Sequence, residues 1–285
     1  MDKKTVMENL IRSAGGNSHF TGAWLYAENG EIVSTGGVGW RDPNDTLPVL
    51  DDSIFDIGSI SKQFTAAAVM LLRRRGLLSL EDEITAFFPE IPYKGVTIRH
   101  LLNHTGGPPE FLRWAARIAQ EEHTIPDNGI VIRFLCECGE APCFAPGEQF
   151  EYSNTGYCLL ARIAEKVSGV RFEDYLEQNV FAPAGMTSTR ILHRRKDSLA
   201  VENLAFGLVF EDGRYIFPDE SKGMNFVVPL DGLSGCGYVH STVLDLFRRD
   251  RVPRQGTLLS EEEQAMMYTP GKLNSVEMPH VSEED

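Results

Sequence analysis

The chain has 285 residues, 42% hydrophobic and 24% charged, an ordinary globular composition long enough to bury a substantial core. Its formal net charge of −14 argues against a nucleic-acid partner. Residues 1–16 are charged and lack a long apolar run, so they read as neither signal peptide nor membrane span. The expected location is therefore cytoplasmic, with export expected only if a signal has been removed.

A leading helix is predicted from about Lys3 to Ala14. Phe20 to Trp40 reads as a hairpin, two apolar-rich runs around Glu28-Asn29-Gly30. Its "STGGVG" stretch (Ser34 to Gly39) lacks the phosphate-loop pattern and reads as the end of a strand. A Pro/Asp-rich loop follows to Asp52. From Ser59 to about Phe181 the pattern is mainly helical. Short strands are expected within Leu204 to Phe217, turning at Asp212-Gly213. Ser260-Glu-Glu-Glu263 is a capping box that opens one more helix. The expected organisation is residues 1–58 as the first part of an α/β subdomain, 59–200 as a mainly helical subdomain, and 201–285 as the return to the α/β part, incomplete. A cleft between the two is the usual position for a site.

Five cysteines (Cys136, Cys138, Cys143, Cys158, Cys236) and no export signal imply free thiols. Their spacing is not a zinc pattern, and His100 and His104, i and i+4 with no Glu between, suit a structural role better than a metal site. No metal and no cofactor are expected. The basic clusters Arg73-Arg74-Arg75, His193 to Lys196 and Arg248-Arg249 read as solvated helix ends or loops.

The chemistry lies in two short motifs. Ser59-Ile60-Ser61-Lys62 opens an apolar stretch, Phe64 to Leu72, that must be buried if helical. Residues i and i+3 share a helix face, so Lys62 can reach the Ser59 oxygen. A serine hydroxyl is a weak nucleophile until a base takes its proton, and a lysine held in a cleft can be that base. Gly58 allows a tight turn, and the helix N-terminus offers partial positive charge to an alkoxide. The bland alternative is that Ser59 caps the helix and Lys62 points to water.

The second motif is Tyr152-Ser153-Asn154. Pro146-Gly147 signals a turn, the strand-like "EQFEY" follows, and a helix is expected from about Thr155 to Val167, closed by Ser168-Gly169. An extended backbone sends Tyr152 and Asn154 to one side. A phenol beside an ammonium can serve as a base, and an amide can orient a carbonyl or the lysine. The alternative here is an N-cap Asn with a core Tyr.

Ser59-x-x-Lys62 followed by Tyr152-x-Asn154 resembles the serine β-lactamase and penicillin-binding-protein superfamily. Tyr in the second motif resembles its class C β-lactamase, D,D-carboxypeptidase and family VIII esterase branch. "TIRHLLNHTGG" (Thr97 to Gly107) resembles that branch's "LLxHTSG" block, with Gly106 where Ser is usual. "LSGCGYVHSTVLDLFRR" (Leu233 to Arg249) resembles its glycine block, and the likeness runs from about Phe20 to Thr269. The resemblance implies an α/β fold of the α+β type, with a helical subdomain inserted in an antiparallel-sheet subdomain. It implies a serine hydrolase with an acyl-enzyme on Ser59, proton transfers shared by Lys62 and Tyr152, and substrate positioning by Asn154. The implied partner is a small-molecule or peptide substrate: a β-lactam, a D-amino-acid peptide or a small ester. The family's third motif, Lys-Thr-Gly or His-x-Gly, has no match after Tyr152. Lys222-Gly223, Gly271-Lys272 and His280-Val281-Ser282 do not fit it. The sequence thus reads as truncated before the last strands, one of which supplies half of the oxyanion hole. Loss of one such donor costs about 2.7–4 kcal/mol of transition-state stabilisation. The rival reading is a non-catalytic β-lactam- or peptide-binding member, or an inactive fragment. Oligomeric state is not legible.

Overall fold

The computed structural model describes residues 2–18, 21–44, 46–193, 201–223, 230–255 and 258–274. Helix α1 (Lys3–Ser18) precedes a hairpin of β1 (Gly22–Glu28) and β2 (Glu31–Val38). Asn29 and Gly30 both take positive φ (48° and 85°), as the tight Asn-Gly turn requires. The hairpin register slips between Tyr26 and Ala27. After it come β3 (Ile54–Asp56), a 3₁₀ turn (Gly58–Ser61) and α2 (Lys62–Arg74).

Five helices follow: α3 (Ile84–Phe87), α4 (Ile98–Leu102), α5 (Leu112–Glu122), α6 (Gly129–Glu137) and α7 (Asn154–Ser168). Then α8 (Phe172–Leu176) runs into a π-helical turn over Glu177–Phe181. The chain returns through β4 (Arg190–Ile191), β5 (Leu204–Ala205), the hairpin β6 (Val209–Glu211) and β7 (Arg214–Ile216), and β8 (Val239–Ser241). It closes on α9 (Val243–Gln255) and α10 (Glu261–Tyr268). The mixed α/β class expected from the sequence is what is observed. β3 and β8 are the middle of a four-stranded sheet ordered β4-β8-β3-β5, in which the β3–β5 pair is parallel and the others antiparallel.

α2 is the centre of the molecule. Phe64, Ala67, Ala68, Val69 and Leu72 are all fully buried, as its apolar run demands. It packs on α7, whose Cys158, Leu159, Leu160, Ala161, Ile163 and Ala164 are equally buried. Each large apolar side chain so buried contributes about 1.5–3 kcal/mol. This core makes the first turn of α2 a rigid mount for the residues on it.

Two expectations change. "EQFEY" forms no strand. Its Glu151 N–H donates instead to His104 O in the loop after α4, to which Gly147, just before the stretch, also donates its N–H at Thr105 O. The basic runs are not merely solvated. Arg74 pairs with the buried Glu263 of α10, Arg248 bonds the fully buried Asp245, and Arg249 is itself buried. Residues 194–196 of the remaining basic cluster, and the His280-Val281-Ser282 string, lie outside the described residues. All five cysteines are free. No helix among the described residues is long and apolar enough to cross a membrane.

Candidate active site

The site forms where three remote segments meet: the start of α2, the start of α7, and the glycine block before β8. Gly58, at φ +52°, donates its N–H to Asp56 Oδ1 at 2.8 Å, which turns the chain from β3 into the 3₁₀ turn and leaves Ser59 exposed. Ser59 does not cap α2 through its side chain, and Lys62 does not face water. Lys62 is only 7% exposed. Its Nζ donates to Cys236 O at 2.6 Å, to Asn154 Oδ1 at 2.9 Å and to Ser59 Oγ at 3.4 Å. An ammonium has three donors, and each meets one acceptor here. The same nitrogen lies 4.7 Å from the centre of the Tyr152 ring and 5.5 Å from that of Tyr157.

Asn154 is free to do this because it is not the helix cap. Ser153 is the cap: its backbone is extended (φ −130°, ψ 120°) and its Oγ accepts the N–H of Gly156 at 3.0 Å. Asn154 is therefore the first residue of α7, and its backbone N–H is held by Glu110 Oε2 at 2.8 Å. The predicted end of the helix is found as well, with Gly169 left-handed at φ +76°.

The glycine block clasps the nucleophile segment. Gly235 O accepts from Thr65 Oγ1 at 2.8 Å, Ser61 Oγ accepts the N–H of Val239 at 3.1 Å, and Val239 O accepts the N–H of Ile57. Its far end is tied down by Asn128, which exchanges two bonds with Ser234, of 2.8 and 2.9 Å. Beneath it Cys158 lies against Cys236. Burial, and then the hydrogen bond with Cys236, push the Cys158 thiol well above its ordinary value.

His104 sits behind Tyr152. It is left-handed (φ +59°), and its ring packs, tilted by about 30°, on those of Tyr152 and Tyr157, with centroids 4.7 and 5.0 Å away. Burial, seconded by the nearby Lys62 charge, lowers its pKa to about 4. A small cleft lined by His104, Glu110, Tyr152 and Ser153 borders the tyrosine, whereas Ser59 and Lys62 lie outside its walls. The sequence-predicted residues Ser59, Lys62, Tyr152 and Asn154 are thus brought together. The carbonyl of Cys236 and the ring of His104 join them without having been assigned to the site. A backbone carbonyl carries no sequence signal; His104 had one, its place in the "HLLNHTGG" block.

A serine in contact with a buried lysine, with a tyrosine and an asparagine at its side on an α/β scaffold, is the constellation that the sequence resemblance implied. Comparison with known proteins agrees. The β-lactamase family profile matches residues 7–280, and the chain belongs to that family. It is 37% identical over 278 residues to penicillin-binding protein 4* of Bacillus subtilis, covering 97% of this chain and 61% of that one. The octameric penicillin-binding protein homologue from Pyrococcus abyssi superimposes with a TM-score of 0.78 at 29% identity, covering 94% of this chain and 60% of that one. D-amino acid amidase from Ochrobactrum anthropi shares the fold, with a TM-score of 0.77 at 23% identity, covering 93% of this chain and 74% of that one. The chain spans about three fifths of the length of the first two of these relatives.

Proposed function

We propose that this chain is a serine hydrolase that forms an acyl-enzyme on Ser59. The observation that carries the proposal is Lys62, a buried lysine whose amine is held 3.4 Å from the Ser59 oxygen by acceptors from two other segments. In the proposed reaction Lys62, once deprotonated, takes the Ser59 proton as the oxygen attacks the substrate carbonyl. The proton then passes towards the leaving group by way of the Tyr152 hydroxyl, carried on the ring whose centre lies 4.7 Å from Lys62 Nζ. The Ser59–carbonyl bond forms, the amide or ester bond breaks, and water later releases the acyl group. Asn154 serves two ends: it holds Lys62 and offers its amide N–H₂ to a substrate carbonyl. The substrate class is a β-lactam, a D-amino-acid peptide or a small ester, all of which pass through a tetrahedral oxyanion. The names of the Bacillus relative and the Ochrobactrum amidase support the first two.

The test is covalent labelling by a fluorescent penicillin together with hydrolysis of a p-nitrophenyl ester, in the wild type and in Ser59→Ala. Labelling and turnover in the wild type, both lost in Ser59→Ala, are the expected results. Full turnover by Ser59→Ala would sink the proposal. Stable labelling without turnover would favour the penicillin-binding reading over the hydrolase.

A further inference from the structure

His104 grips three consecutive residues, Glu151 to Ser153, where the chain enters the second motif. Its carbonyl accepts the N–H of Glu151 at 2.9 Å, and its Nδ1 accepts the N–H of Ser153 at 3.1 Å. Between those two anchors its ring lies against the ring of Tyr152, 4.7 Å between centroids and 30° between planes. A second ring contact is Tyr157, whose hydroxyl is fixed on Leu102 O at 3.0 Å, and Phe150 meets the His104 ring edge-on at 5.8 Å. Glu151 and Tyr152 belong to a loop rather than a regular element, and Tyr152 is 47% exposed. Little else on its own segment orients that ring.

We propose that His104 is the positioning residue for Tyr152, a clamp that holds the segment carrying the phenol beside Lys62 through two backbone bonds, with the ring contact a secondary support. The inference rests on the hydrolase reading above, in which Tyr152 moves a proton. Nδ1 must be unprotonated to accept the Ser153 N–H, which assigns the proton of the neutral imidazole to Nε2. The neutral ring also suits its setting, since an imidazolium there would face Lys62. The left-handed backbone at 104 narrows the residues that can do this. Glycine and asparagine tolerate that conformation, but only asparagine offers an oxygen near the Nδ1 position.

That difference makes the test. His104→Gly keeps the backbone and removes both the acceptor and the ring, whereas His104→Asn keeps the backbone and the acceptor. Steady-state ester hydrolysis is expected to show kcat in His104→Gly lower by about 30-fold or more, with KM changed less than about threefold. His104→Asn should lose no more than about threefold in either. Ring-labelled tyrosine NMR is expected to show one sharp Tyr152 environment in the wild type and His104→Asn, and a broadened one in His104→Gly. This readout does not depend on activity, so it also serves if turnover is too low to measure. Equal kcat in the two variants, or a sharp unshifted Tyr152 signal in His104→Gly, would overturn the proposal. Loss of the hydrolase reading would look different, because Ser59→Ala would then label and turn over like the wild type.

Discussion

Gly235 gives the sharpest test of how the scaffold serves the site. Its φ is +90°, and a Cβ built on it would stand 2.6 Å from Tyr157 O and 2.7 Å from the Ala161 Cβ, both on α7. Neither neighbour can yield cheaply, because one is helix backbone and the other a fully buried core residue. The left-handed backbone alone costs a non-glycine residue about 1–2 kcal/mol. Forcing a methyl into a packed contact adds about 1–3 kcal/mol. Gly235→Ala should therefore lose about 3 kcal/mol of stability. Gly58 is the internal comparison: it too has positive φ, +52°, but a Cβ there meets nothing within 4 Å. Gly58→Ala should lose only the backbone part, about 1 kcal/mol. Urea unfolding of both variants, at unchanged m, measures the gap. Equal losses would refute the packing argument. The variant should also read out in function. Strain at 235 is relieved by moving the block off α7, which draws Gly235 O from Thr65 and Cys236 O from Lys62. Acylation should fall about tenfold or more if that charge-assisted bond is weakened.

Asn154→Leu removes one of the three Lys62 acceptors, a bond to a charged group worth about 1.5–3 kcal/mol. Stopped-flow labelling should slow by roughly ten- to a hundredfold, and a change under about twofold would contradict the assigned role. The His104 pKa, about 4 in the fold against an ordinary 6.5, means that the unfolded chain binds the extra proton first as pH falls. Stability from this group is present above pH 6.5 and is lost between there and about 4. The loss is about 1–2 kcal/mol after discounting for screening by solvent, and the pH–stability curve of His104→Asn should lack it. His193 has the opposite sign. Its hydrogen bond with Glu173, 3.5 Å away, raises its pKa, so its contribution is full below the unfolded value and fades as pH rises through the folded one. NMR titration should find the His193 pKa lowered in Glu173→Gln, and an unmoved titration would contradict the pairing. A double-mutant cycle between Arg74 and Glu263, half-exposed and buried respectively, should return a coupling of about 0.5–1.5 kcal/mol. A coupling near zero would mean that α10 is held to α2 by apolar contacts alone.

Much of the fold was legible because its signals are local. Asn29-Gly30 dictates a tight turn wherever two apolar runs flank it. The α2 run is apolar on every side and has one stable destination, the core. Ser260 and Glu263 cap α10 through bonds that need only four consecutive residues. "EQFEY" misled because strand propensity says nothing about the partner. Its Glu151 N–H found an acceptor in the loop after α4, forty-odd residues earlier in the chain, and that loop offers no regular edge. Arg74 misled for a similar reason, since its partner Glu263 is 189 positions away.

The site divides along the same line, and the division bears on how it works. Ser59 and Lys62 could be read together because one helical turn joins them. What makes Lys62 more than a surface lysine is supplied from 92 and 174 positions away, by Asn154 Oδ1 and Cys236 O. Every residue carries a backbone carbonyl, so nothing in the name Cys236 announces that its oxygen would hold the lysine. The signal lies in Gly235, whose missing side chain lets the block approach α7 closely enough to aim that oxygen. α7 in turn carries Asn154, and its cap Ser153 is tied to His104. The position of the lysine amine is thus decided by the contact between the glycine block and α7, as much as by the helix on which it is carried. Substitutions along that contact should change catalysis without touching any residue that meets the substrate, and Gly235→Ala and His104→Gly approach it from its two sides.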